Sequence, residues 1–222
     1  MSEMRLDMRK LLEEQFHLET SQMSQEQLKK IWEGLIDGLD VSAYANSDFN
    51  ILQMEQIRLG LEDGLDVSLY ADPKYSAEQM WEIWRGLVYG LDVSAYADPK
   101  YDDAQMGQIR EGLNNAVDVS VYADPKYNNL QMRELRKGLE SVLDVSMYAD
   151  PQYSWGQMAE IRVGLANGLD VSAYADPTLN EDAMKNIRLD LLDGKDIQKT
   201  PIKGQSVKPK ASKRNNMRSP KL

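Results

Sequence analysis

The sequence predicts an all-α fold: an α-solenoid of seven 26-residue two-helix repeats, with an N-terminal cap helix and a disordered basic C-terminal tail. Three observations predict it. Asp40, Asp66, Asp92, Asp118, Asp144 and Asp170 each open an Asp-Val-Ser triplet, and neighbours stand 26 residues apart. Tyr44, Tyr70, Tyr96, Tyr122, Tyr148 and Tyr174 keep that interval, as do Leu28, Met54, Met80, Met106, Met132, Met158 and Met184, so no unit has gained or lost a residue. Within each unit an N-cap residue type precedes apolar positions at helical spacing. Periods of about 20–50 residues mark repeat architectures, because a single unit cannot bury its apolar face and must stack.

The elements follow in order. Residues 1–23 read as an amphipathic cap helix; charges run throughout this stretch, so a secretory signal is not expected. The units open at Ser24, Asn50, Ser76, Asp102, Asn128, Ser154 and Asn180. Three residues on, Gln27, Gln53, Gln79, Gln105, Gln131 and Gln157 complete a capping-box pattern in the first six. In the second unit Met54, Ile57, Leu61 and Leu65 form one stripe of a helix of about four turns. Gly64 loosens its last turn, and Asp66 caps a second, short helix over 67–71. Asp72–Pro73 ends that helix, since the residue before proline disfavours the α region. Tyr75, like Phe49, Tyr101, Tyr127 and Tyr153, folds over the junction. Gly34, Gly60, Gly86, Gly112, Gly138 and Gly164 sit mid-helix. Glycine there costs roughly 0.5–1 kcal/mol relative to alanine, and its repetition predicts close helix–helix contact at each position. The last unit loses the pattern at Asp190, Lys195 and Asp196, as a C-terminal cap should, which puts the repeat region at 24–202 and the tail at 203–222.

The recurring Tyr-Ala-Asp-Pro-x-Tyr, Gln-Met-x-x-Ile-Arg-x-Gly-Leu and Gly-Leu-Asp-Val-Ser pattern resembles the short helical repeats of proteins from Firmicutes phages and conjugative elements. The resemblance covers residues 24 to about 197. Unit four departs at Ala116 and Val117, and unit five at Val142. The resemblance implies a mobile-element origin and a bacterial cytoplasm; it implies no shared activity.

Composition limits the chemistry. The chain has no cysteine, which excludes disulfides and thiolate metal sites and fits a reducing cytoplasm. His17 is the only histidine, so there is no nucleophile–base pair and no zinc set. The glycines lie at helix positions, so no phosphate-cradling loop is present, and the carboxylates are spread one per unit instead of converging. We therefore expect no enzyme, cofactor or metal. No stretch approaches the roughly 18 apolar residues that span a bilayer, and no membrane partner is expected.

Four features remain as candidate sites. The aspartate ladder, Asp40, Asp66, Asp92, Asp118, Asp144 and Asp170, reads first as a series of helix caps and second as a negative rail for a basic partner. Arg58, Arg110, Arg136, Arg162 and Arg188 follow core positions. They can pair with ladder aspartates or bind an anion, and pairing is favoured because charge is buried mainly in pairs. In the third unit Trp84 takes the arginine place, as Trp32 does in the first, and Trp81, Arg85, Val88 and Tyr89 fill places that are largely polar elsewhere. This aromatic, apolar and arginine patch has the composition of a partner-binding hot spot; extra packing or a homodimer contact is its plain alternative. The tail carries seven of the 26 basic residues, among them Lys208, Lys210, Lys213, Arg214 and Arg218, and no acid. It reads as a solubilising end or a nonspecific binder of nucleic-acid phosphates.

Without the tail, residues 1–202 hold 19 basic against 36 acidic residues, a body charge of −17. The expected function is a non-enzymatic, protein-binding repeat scaffold. The alternatives are an acidic phosphate mimic that inhibits a host nucleic-acid enzyme, such as a nuclease or CRISPR effector, and a DNA-associated accessory protein acting through the tail.

Overall fold

The computed structural model describes residues 9–14 and 16–195, and among these all regular structure is helical. A short helical segment, α1, covers 9–14. Seven 12-residue helices follow: α2 (Gln25–Ile36), α3 (Ile51–Glu62), α4 (Ala77–Val88), α5 (Asp103–Asn114), α6 (Asn129–Glu140), α7 (Trp155–Ala166) and α8 (Glu181–Leu192). Between them lie six 3₁₀ turns: η1 (Val41–Ala43), η2 (Val67–Leu69), η3 (Val93–Ala95), η4 (Val119–Val121), η5 (Val145–Met147) and η6 (Val171–Ala173). Successive α-helices pack side by side, and each of α2 to α7 rests on the 3₁₀ turn of its own unit. This is the predicted solenoid-like all-α repeat.

Each unit begins as its sequence dictates. Asn50 accepts from the Gln53 backbone N–H at 3.0 Å, and Gln53 Oε1 accepts from the Asn50 N–H at 2.8 Å, closing a capping box. The glutamine does more than cap. Gln53 is buried, and its Nε2 donates to the carbonyls of Pro73 (3.1 Å) and Tyr75 (2.6 Å), which lead into the next helix. One side chain thus ties the start of its helix to the start of the next unit. In α8, Ala183 takes this place, and only the Asn180 cap remains.

The helix ends differ from expectation. Gly64 adopts φ +68°, Gly64 N–H donates to Leu61 O (3.1 Å), and Leu65 N–H reaches back to Gly60 O (2.9 Å). That is a Schellman ending, so α3 stops at Glu62 instead of continuing to Leu65. Ala116 and Val142 hold the same bonds at φ +55°, although a side chain opposes that backbone. The predicted second helix over 67–71 shortens to a three-residue 3₁₀ turn. Tyr70 leaves the helical region at φ −142° and drops its ring beneath α3, which prevents a further turn.

The mid-helix glycines are also corrected. A methyl group at Gly86 would fall 1.9 Å from the Tyr96 hydroxyl oxygen and 2.8 Å from Val93 Cγ1. The close approach comes from the unit's own corner, not from a neighbouring helix. The Tyr96 hydroxyl, lodged there, donates to Glu82 O at 3.1 Å.

The core is one continuous stack. Met54, Ile57, Val67, Tyr70 and Tyr75 are buried in unit two, and their counterparts are buried in each of units three to five; in unit six Leu179, in the place of Tyr75, is half-buried. At the N-terminal end Leu12 and Met23 join it, while Arg9 donates to the carbonyls of Thr20 (2.6 Å) and Met23 (3.0 Å). His17 lies exposed beside them at φ +53°. No helix among the described residues is long and apolar enough to cross a membrane.

Candidate partner-binding surface

Helical geometry separates three faces. In α4, Met80 and Ile83 point into the core, Trp84 and Glu82 point toward the two neighbouring helices, and Trp81, Arg85 and Val88 share the solvent stripe at i, i+4 and i+7.

The side-facing positions form a ladder between helices. Arg110 Nε donates to Glu82 Oε2 at 2.7 Å, Arg162 Nε to Glu134 Oε2 at 2.9 Å, and Arg188 Nε to Glu160 Oε2 at 2.7 Å. Arg136 meets Gln108 Oε1 at 3.2 Å in the same place, and also Glu111 and Glu140 at 2.8 and 2.6 Å. Arg58 instead pairs with Glu55 at 2.9 Å and with Glu62, because Lys30 occupies the place of the acceptor one unit back. The Arg58 guanidinium, with burial opposing it and Lys30 assisting, holds the Glu55 carboxyl down at about 2. The arginines therefore form a structural network, but their partners lie on the preceding helix or on their own, not among the ladder aspartates.

Those aspartates cap. Asp66 Oδ1 accepts from Ser68 N–H at 3.1 Å and from Ser68 Oγ at 2.6 Å, and Asp40, Asp92, Asp118, Asp144 and Asp170 accept from the corresponding serine N–H groups. They stand in solvent along the 3₁₀ corners. Hydrogen bonds from the serine side chains and then the backbone hold the carboxyls of Asp40, Asp92, Asp118 and Asp144 below the usual range. Asp72, Asp98, Asp124, Asp150 and Asp176 are turn residues that accept from the N–H two residues on.

The third unit breaks the ladder. Trp84 stacks on Trp81, with ring centroids 4.5 Å apart and planes 17° apart, and its indole N–H donates to Asp63 Oδ2 at 2.9 Å. Gln56 stands where Gln108 receives Arg136, yet its buried Oε1 has no hydrogen-bond partner. Trp81 (39% exposed), Val88 (47%) and Tyr89 (59%) face solvent, and Arg85 reaches Glu82 at 3.1 Å. The predicted patch thus divides: Trp81, Arg85, Val88 and Tyr89 form the surface, and Trp84 supports it from the side.

Two features lay outside the sequence expectation. Leu52, 62% exposed, joins Gln56, Ala77, Glu78, Trp81, Glu82 and Asp103 around a cleft between α3, α4 and α5. Further along, Arg133 lies 5.8 Å over the ring of exposed Trp155. Comparing units column by column, the signal was a large apolar residue at one of the first two helical positions, Leu52 and Trp155, where other units carry mostly small or polar side chains. The tail residues Lys208, Lys210, Lys213, Arg214 and Arg218 lie outside the described residues. Comparison of the chain with protein-family models, with characterised proteins and with solved structures yields no match.

Proposed function

We propose that the chain is a non-enzymatic scaffold, encoded by a bacterial phage or conjugative element and working in the cytoplasm, that docks a protein partner on the helix surface around Trp81, Arg85, Val88 and Tyr89. One observation carries this reading: at the third unit an exposed tryptophan stack replaces the interhelical arginine and leaves the buried Gln56 oxygen without a partner. A buried unpaired acceptor opposes folding by about 1–3 kcal/mol. Local rules are broken in this way mainly at functional sites, and exposed aromatics beside arginine are the usual anchors of interfaces. Replacing Trp81 and Arg85 together by alanine should leave helicity and melting unchanged and weaken partner capture by about 30-fold or more. Equal loss of folding would mark the patch as core.

A second reading draws on the ladder aspartates, which stand exposed in a regular row. In that reading the acidic body occupies the basic channel of a nucleic-acid enzyme. Binding would then weaken steeply with salt and be competed by DNA; salt-insensitive binding indifferent to DNA would remove it.

A further inference from the structure

We propose that the cleft beside Trp81 receives an arginine side chain of the partner, so that the docked segment is basic. This rests on the scaffold reading above and adds the chemistry of what docks. The cleft holds about 320 Å³. Leu52 and Ala77 line it with apolar surface, Trp81 presents its ring, and Glu78 and Asp103 bring carboxylates from α4 and α5. Glu82 is already held by Arg85 and Arg110, whereas Glu78 and Asp103 join no ion pair among the described residues. The site therefore offers an aromatic face and two carboxylates without a cation. A guanidinium fits this set: it is planar, weakly hydrated, stacks on tryptophan, and keeps donors at its edge for carboxylates while its methylenes lie on apolar surface. An ammonium, a strongly hydrated point charge, uses the ring less well.

The protein contains its own precedent. Arg133 occupies in the fifth unit the place of Trp81 in the third, and Trp155 occupies in the sixth the place of Asp103 in the fourth. Those two positions, across one pair of neighbouring helices, already hold an arginine over a tryptophan. Two units earlier the same pair of positions holds Trp81 and Asp103, an aromatic ring and a carboxylate around an open cleft. The spacing of the repeat thus suits an arginine–tryptophan contact, and at Trp81 the arginine must come from outside the repeats. The stack with Trp84 fixes the ring in place and reduces the entropy lost when a ligand docks.

The test is a titration of the full isotope-labelled chain with the acetylated, amidated tripeptide leucine–arginine–leucine, followed at the Trp81 indole N–H resonance. The same peptide with citrulline for arginine serves as the neutral control. The arginine peptide should shift the resonance saturably and the citrulline peptide should not. Glu78→Gln and Asp103→Asn, both at exposed positions, should each weaken the response by about threefold to fivefold. Equal responses to both peptides, or none to either, overturn the proposal. A Trp81 shift on deleting residues 203–222, with no response of the full chain to added peptide, would place the chain's own tail in the cleft and overturn the partner assignment. If neither peptide binds while Trp81→Ala still abolishes partner capture, the arginine assignment fails and the scaffold reading stands. If Trp81→Ala leaves capture intact, both fail.

Discussion

Val142 shows most directly how the repeat constrains single residues. It is β-branched, 92% exposed, and held at φ +55° in a position that unit two fills with Gly64. The left-handed region costs a side-chain-bearing residue roughly 1–2 kcal/mol, so Val142→Gly should stabilise the chain by about that amount. A rise in the urea midpoint without a change in slope would show it; an unchanged midpoint would mean the backbone relaxes there. Gly86→Ala should act in the opposite direction, by about 2–3 kcal/mol, because the methyl displaces a buried tyrosine hydroxyl and its hydrogen bond to Glu82 O. These two kinds of glycine were not equally legible. The mid-helix series announced tight packing, but a repeat period gives spacing along the chain and not the identity of the neighbour. The contact proved to lie within the unit, ten residues on.

At the scale of the element, the interhelical arginine ladder supplies the clearest prediction. Trp84→Arg should let a guanidinium reach Gln56 Oε1 as Arg136 reaches Gln108, and raise stability by about 1 kcal/mol while reducing partner binding. Higher stability with unchanged binding would separate Trp84 from function. Much of this level could be read from the residues. Capping boxes, the core stripe and the aspartate caps follow from local chemistry, which acts within a few residues. The ladder's partners did not, because Arg110 finds Glu82 across a helix–helix register of 28 residues, and that register is set by three-dimensional stacking. For the same reason Trp81 and Tyr89 were visible as anomalies of composition, whereas the cleft that joins Leu52 to Asp103 spans three units and needed the fold.

Across the whole molecule, units are bound through their nearest neighbours, so stability is distributed along one stack. The corner tyrosines are part of what holds it. Burial pushes the hydroxyls of Tyr44 and Tyr174 up to about 12, and those of Tyr70, Tyr96, Tyr122 and Tyr148 higher still. The folded state therefore keeps protons that the unfolded chain releases near pH 10. Stability from these groups is complete below about pH 10 and is lost as pH rises through 12. Ultraviolet titration should show tyrosinate appearing together with loss of helix, and early titration of all eleven tyrosines with helix intact would contradict it. The scaffold reading itself is tested most directly by hydroxyl-radical footprinting of the full chain, alone and with the partner it captures from a nuclease-treated lysate. Protection concentrated on Trp81, Val88, Tyr89 and Leu52 is the predicted result. Protection along the 3₁₀ corners, at Leu69 and Met147, with Trp81 still oxidised, would contradict it.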